Sequence, residues 1–198
     1  MSDTRLKQTP SQTIGPFFAY GMTPGPYGYA LADVATAQVA EAGSDGQRIR
    51  FVGQVFDGSG AVCNDAMVEI WQADASGRHA NPAEARGANT RFRGFGRAGT
   101  GADDTSSFAF DTIKPGSVDG QAPHITVVLF ARGMLNHLFT RAYFADEAAA
   151  NAADPVLKAV PAERRHTLFA KREEGPDGIK YRFNIHLQGP EETVFFDV

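Results

Sequence analysis

The side chains able to hold a metal, transfer a proton or attack a carbonyl are sparse and scattered along this chain. Five histidines stand at 79, 124, 137, 166 and 186, and no two of them share the i,i+2 or i,i+4 spacing that would aim both rings at one ion. No HExxH helix, CxxC pair, phosphate-binding glycine loop or nucleophile elbow is present. The lone cysteine, Cys63, follows a turn without a neighbouring base or cation, which suits a small buried apolar residue. His124 opens an apolar run, where a hydrogen-bonded core imidazole is the simplest reading. Arg132 closes the same run, where a solvated strand-end arginine is the simplest reading.

The elements that must position these groups are short. With 21 glycines, 11 prolines and 15 phenylalanines in 198 residues, the composition favours strands joined by tight turns, an all-β fold of one domain. Residues 1–30 are rich in Gly, Pro and aromatics and lack any period, so they are expected to form an extended arm packed on the body or on a partner. Ala-rich 30–42 could make a helical turn or two. A β-sandwich core is expected over 49–198. Its strands are placed at 49–56, 67–73, 95–98, 108–113, 124–131, 138–144, 167–173 and 179–188, with polar 74–89 as a long loop. The near-continuous apolar runs 124–131 and 138–144 are expected in the sandwich interior, with Trp71 as core and Gln72 as loop support. In the last strand Tyr181, Phe183, Ile185 and Leu187 share the core face. A helix is expected over 146–158, capped by Asp146 and kinked at Asp154-Pro155, with another short one from Pro161.

Charge narrows the function classes. Nineteen Lys+Arg against 23 Asp+Glu give a net charge of -4, which offers no global positive field for nucleic acid or an anionic membrane. No apolar run approaches the ~20 residues that span a bilayer, and the opening residues lack a basic start followed by an apolar stretch, so the expectation is a cytoplasmic protein.

One constellation goes further. Ile70-Trp71-Gln72-Ala73-Asp74 with Gly77-Arg78, then Thr112-Ile113-Lys114-Pro115-Gly116, Pro123-His124-Ile125, Tyr143-Phe144 and Tyr181-Arg182-Phe183-Asn184-Ile185 follow one another in a characteristic order. With the start Thr9-Pro10-Ser11-Gln12-Thr13-Ile14-Gly15-Pro16 and the ending Glu192-Thr193-Val194-Phe195-Phe196-Asp197, the chain resembles the intradiol aromatic-ring dioxygenases over almost its whole length. The resemblance implies an intradiol-type β-sandwich and a non-haem ferric ion held by two tyrosines and two histidines. At those positions this chain carries His79, Val118, His124 and Thr126. Phenolate is the hard anionic donor that favours Fe(III). With no tyrosine in these places, the chain is expected to bind no iron and to contribute no catalytic residue alone.

By the same resemblance, it is the alpha-type member of a two-chain enzyme whose homologous beta chain carries Fe(III), assembled as a higher oligomer of alpha-beta pairs. That enzyme cleaves 3,4-dihydroxybenzoate with O2 to 3-carboxy-cis,cis-muconate, in aromatic catabolism by the beta-ketoadipate pathway. Thr13, Gly15 and Pro16 of the arm, and Arg132, are then expected to line the partner's substrate pocket. Gly15-Pro16 could instead be only a turn. Two further classes stay open: a purely structural paralogue, and a sandwich module that binds a small ligand on its own.

Overall fold

The structure is a computed structural model that describes Gly15 and residues 17–32, 34–81 and 91–198. Nine strands, β1 (Arg48–Phe56), β2 (Met67–Gln72), β3 (Phe95–Gly99), β4 (Ser107–Ile113), β5 (His124–Phe130), β6 (Leu138–Phe144), β7 (Phe169–Gly175), β8 (Gly178–Arg182) and β9 (Ile185–His186), carry the fold. They run in the order β3-β2-β5-β6-β7-β8-β1-β4, with β9 added on β1. The β6–β7 link is parallel and only two residue pairs long, so the path bends there and folds β8, β1 and β4 over β2, β5 and β6. The expected all-β sandwich is the fold observed.

Alternation explains what lies between the layers. Val68 and Ile70 of β2 and Ile125, Val127 and Leu129 of β5 meet Phe51, Val55, Phe108, Phe110, Tyr181 and Phe183 from the other layer, all buried. Each fully buried side chain of this size contributes roughly 1.5–3 kcal/mol relative to exposure, so this cluster holds the layers together.

Several elements differ from the sequence expectation. Run 138–144 is largely buried, with Thr140, Ala142, Tyr143 and Phe144 inside, whereas run 124–131 is buried on one face only, since His124, Thr126, Val128 and Phe130 face outward and are half-buried. Period 2 decides this, because one layer can bury only one face of each strand. Trp71 is likewise on the outer face and 39% exposed, whereas Gln72 does support its loop. The arm is not wholly extended, since Phe17–Met22 form the helix α1 and Gly25–Tyr27 a 3-10 turn. Residues 30–42 form no helix where described; Gln38 and Ala40 instead make isolated bridges to Asp111 and Phe92. The expected helix from Asp146 is two short ones, α2 (Ala148–Ala153) and α3 (Pro155–Ala159), broken at Asp154-Pro155. Asp146 caps neither: its carboxylate accepts from the Tyr181 hydroxyl at 2.7 Å and from Lys114 at 3.0 Å. These bonds outweigh burial and hold the Asp146 carboxyl below its usual range. The expected 179–188 strand breaks at Phe183-Asn184 into β8 and β9. A 3-10 helix occupies Ala162–Leu168.

The outer face of the β5–β6 pair is roofed at both ends. Tyr143 packs with Leu157 of α3, Val160 just beyond its end and Leu168 of the 3-10 helix, next to His124. Phe18 of α1 lies 5.9 Å from the Phe130 ring at the other end. At ~3.3 Å per residue these ends are about 20 Å apart. Among the described residues no helix is long and apolar enough to cross a membrane.

Candidate functional site

The four positions that the dioxygenase resemblance singles out come together at the His124 end. Position 79 is set by a short loop built around Asp74, whose Oδ1 accepts from the Ser76 amide at 2.8 Å and the Arg78 amide at 3.0 Å. Position 118 follows the Lys114-Pro115-Gly116 turn. The two loops interlock: the Gly116 amide donates to the Asp74 carbonyl at 2.8 Å, and a Cβ on Gly77 would lie 2.0 Å from the Ser117 carbonyl oxygen. Gly77 also has φ +75, so glycine is required there twice over. Gln72 anchors the base, donating to the Ile113 carbonyl at 2.9 Å and accepting from the Thr112 hydroxyl at 2.9 Å.

The β5 positions are held from the opposite side. Asp154, fully buried, accepts from the Ala122 amide at 2.8 Å and the Leu157 amide at 2.8 Å, and from the Tyr143 hydroxyl at 3.4 Å. The Ala122 carbonyl in turn accepts the Nδ1 hydrogen of His124 at 2.8 Å. That contact fixes the tautomer, because a carbonyl can only accept. Thr126 sits between Trp71 and Arg141 in the register. Arg141 donates to Gln121 at 2.6 Å and reaches the Tyr143 oxygen at 3.4 Å. The His79 ring stacks on Trp71 at 5.8 Å, and its Nδ1 is buried without a partner.

This donor set does not fit a ferric ion. Val118 has no donor atom, Thr126 offers a neutral hydroxyl, and the remaining pair is two imidazoles, so no anionic ligand offsets a trivalent charge. Burial, reinforced by Arg141 and His79, holds His124 below the usual imidazole pKa; burial also raises the Tyr143 hydroxyl, which keeps that phenol neutral. Among the described residues no group of three or more His, Cys, Asp or Glu stands close enough to share a metal. None of the four positions carries an anionic donor.

At the other end of β5 the picture reverses. Arg132 is 65% exposed, and its Nε pairs with Asp65 at 2.8 Å. It borders a cleft of about 670 Å³ lined by Tyr20, Tyr27, Asp103 and Asp104 among others. Asp103 is committed to its own loop, accepting from the Thr105 hydroxyl at 2.5 Å and amide at 2.8 Å, bonds that hold its carboxyl below the usual range. Gly15 is exposed, with open space where a Cβ would go, and its carbonyl accepts the Phe18 amide at the start of α1. Thr13 and Pro16 lie outside the described residues. Asp65, Asp154 and the Gln121–Arg141 pair were not legible as site residues. Only Asp154 had a signal, the Asp-Pro step of a helix cap.

A nine-stranded sandwich with two interlocked loops over one end of β5 defines a class of fold, and comparison with known proteins identifies it. The family model described as "Dioxygenase" matches residues 25–189, and the chain belongs to this family, the intradiol dioxygenases. It is 54% identical over 198 residues to the protocatechuate 3,4-dioxygenase alpha chain of Burkholderia cepacia, covering 98% of this chain and 100% of that one. The alpha chain of the same enzyme from Pseudomonas putida is 42% identical, covering 97% of each. The corresponding beta chain of Burkholderia cepacia is 33% identical over 162 residues, covering 75% of this chain and 67% of its own length. The dioxygenase domain of a carbohydrate-binding fusion protein from Streptomyces shares the fold, with a TM-score of 0.58 at 24% identity, covering 95% of this chain and all of that one.

Proposed function

We propose that this chain is the alpha-type subunit of a cytoplasmic, two-chain intradiol dioxygenase. With a homologous, iron-bearing beta-type chain it cleaves 3,4-dihydroxybenzoate with O2 to 3-carboxy-cis,cis-muconate. The observation that carries this reading is a preserved site framework with replaced ligands, in a chain that is 54% identical to an alpha chain and 33% identical to a beta chain. Such a chain needs a partner to supply the metal. What remains for its own residues is to complete the partner's pocket: Gly15, together with Thr13 and Pro16, as backbone close to the ring, and Arg132 as the cation for the substrate's carboxylate. The cleft beside Arg132 contains Asp65, Asp103 and Asp104, so on its own it does not attract an anion. Arg132 acts on the substrate only where the partner's surface completes the pocket.

The test is metal and activity analysis of this chain expressed alone and together with its beta-type partner. The expected outcome is a colourless, iron-free, inactive chain alone and a coloured, active complex. One tightly bound iron per isolated chain would refute it.

A further inference from the structure

The Arg132–Asp65 contact uses a particular nitrogen. Guanidinium binds a carboxylate best through two parallel N–H groups, and the pair of terminal Nη atoms forms one such fork. Arg132 Nε lies 2.8 Å from the Asp65 carboxylate, and both residues line the cleft. Arg132 is 65% exposed, and a side chain so placed has several rotamers to lose when it grips a ligand. Asp65 is 20% exposed and therefore better anchored, one residue from Ala66, whose amide is bonded to the buried Thr100 hydroxyl at 3.0 Å. A carboxylate that is less exposed than the arginine it pairs with restricts the directions in which that arginine can point.

We infer that Asp65 is the positioning residue for Arg132, orienting its guanidinium toward the substrate's carboxylate and so setting preference for carboxylated catechols. This rests on the reading of Arg132 proposed above. Asp65 touches no reacting atom, and its effect is confined to one recognition contact. Ordering a long side chain on binding costs roughly 0.5–1.5 kcal/mol, about two- to tenfold in affinity. Losing the pre-ordering contact therefore raises KM for the carboxylated substrate by about that factor and leaves kcat unchanged.

The experiment compares Asp65→Ala, Asp65→Asn, Arg132→Ala and the double variant Asp65→Ala/Arg132→Ala. Each is co-expressed with the beta-type chain, checked for assembly and iron content, and assayed on 3,4-dihydroxybenzoate and on catechol. Asp65→Ala is expected to raise KM for 3,4-dihydroxybenzoate roughly two- to tenfold, with kcat and the catechol parameters unchanged. Asp65→Asn, which keeps an acceptor but not its charge, is expected to show a smaller rise, and this isosteric variant decides the matter if Asp65→Ala fails to assemble. Adding Asp65→Ala to Arg132→Ala is expected to change nothing further. If Arg132→Ala is selective for the carboxylated substrate while neither Asp65 variant raises its KM, the positioning role is overturned and the Arg132 reading stands. If Arg132→Ala affects both substrates equally, the Arg132 reading itself is overturned, and the role of Asp65 with it.

Discussion

The two ends of β5 do opposite things with similar resources. At the His124 end Gln121, Arg141, Tyr143 and Asp154 form a hydrogen-bonded chain, with His124 tied to the Ala122 carbonyl, under the roof of α3 and the 3-10 helix. At the Arg132 end one arginine stands 65% exposed beside a cleft lined with carboxylates. Hydrogen-bonded polar chains under a roof stabilise and specify a structure; an exposed cation remains accessible to a ligand. One end of the strand is a hydrogen-bonded, roofed region, and the other carries an exposed arginine beside a cleft.

The comparison is broken most forcefully at Asp154. Asp154→Ala removes the acceptor for two buried amides and the Tyr143 hydroxyl and uncaps α3. Leaving such groups unsatisfied costs about 1–3 kcal/mol each, so a loss of roughly 3 kcal/mol or more is expected. That corresponds to a fall in Tm of roughly 6–12 °C for a chain of this size, measured by calorimetry of the complex. A fall of under ~2 °C would show that the His124 end is not the structural hub described here.

Arg132→Ala tests the other end, and its effect should be kinetic. A hydrogen bond to a charged group is worth about 1.5–3 kcal/mol, so kcat/KM for 3,4-dihydroxybenzoate is expected to fall roughly ten- to over a hundred-fold while catechol changes little. Arg132→Lys should restore part of the loss, because it returns the charge without the fork. Steady-state kinetics on both substrates check this, and a matching fall in Tm would mean that the two ends are not as different as they look.

The smallest effect sharpens the contrast. Burial holds His124 below its unfolded pKa, so the unfolded chain binds the proton more readily than the folded one. The neutral ring's contribution is fully present above pH ~6.5 and is lost as pH falls below that value toward the folded pKa. His124→Gln should flatten this part of the stability-versus-pH curve, measured by denaturant titration from neutral to mildly acidic pH, and leave kcat/KM of the complex unchanged. A fall in activity of more than about tenfold with iron retained in the complex would show that His124 still serves the reaction, since tenfold corresponds to ~1.4 kcal/mol of lost transition-state stabilisation.

Reading the sequence recovered the β class, eight strand segments and the core face of Tyr181, Phe183 and Ile185, because period-2 alternation and Gly/Pro turns are local signals. The motifs Gly77-Arg78, Pro115-Gly116 and Pro123-His124 also carry the family resemblance by their order along the chain. Sidedness was beyond the sequence. Whether a strand such as Val127-Val128-Leu129 is covered on one face or two depends on which layer packs against it, and Trp71 ends on the outside for the same reason. The short helix α1 escaped notice because its residues read as breakers and aromatics, and its place is given by Phe18 meeting Phe130. Asp65 and Arg132 are 67 positions apart, and Gln121 and Arg141 are 20 apart; no spacing rule links either pair. Local patterning determined which elements form. Only the tertiary packing decided which charges meet, because an ion pair depends on distance in space, and the sandwich alone sets that distance.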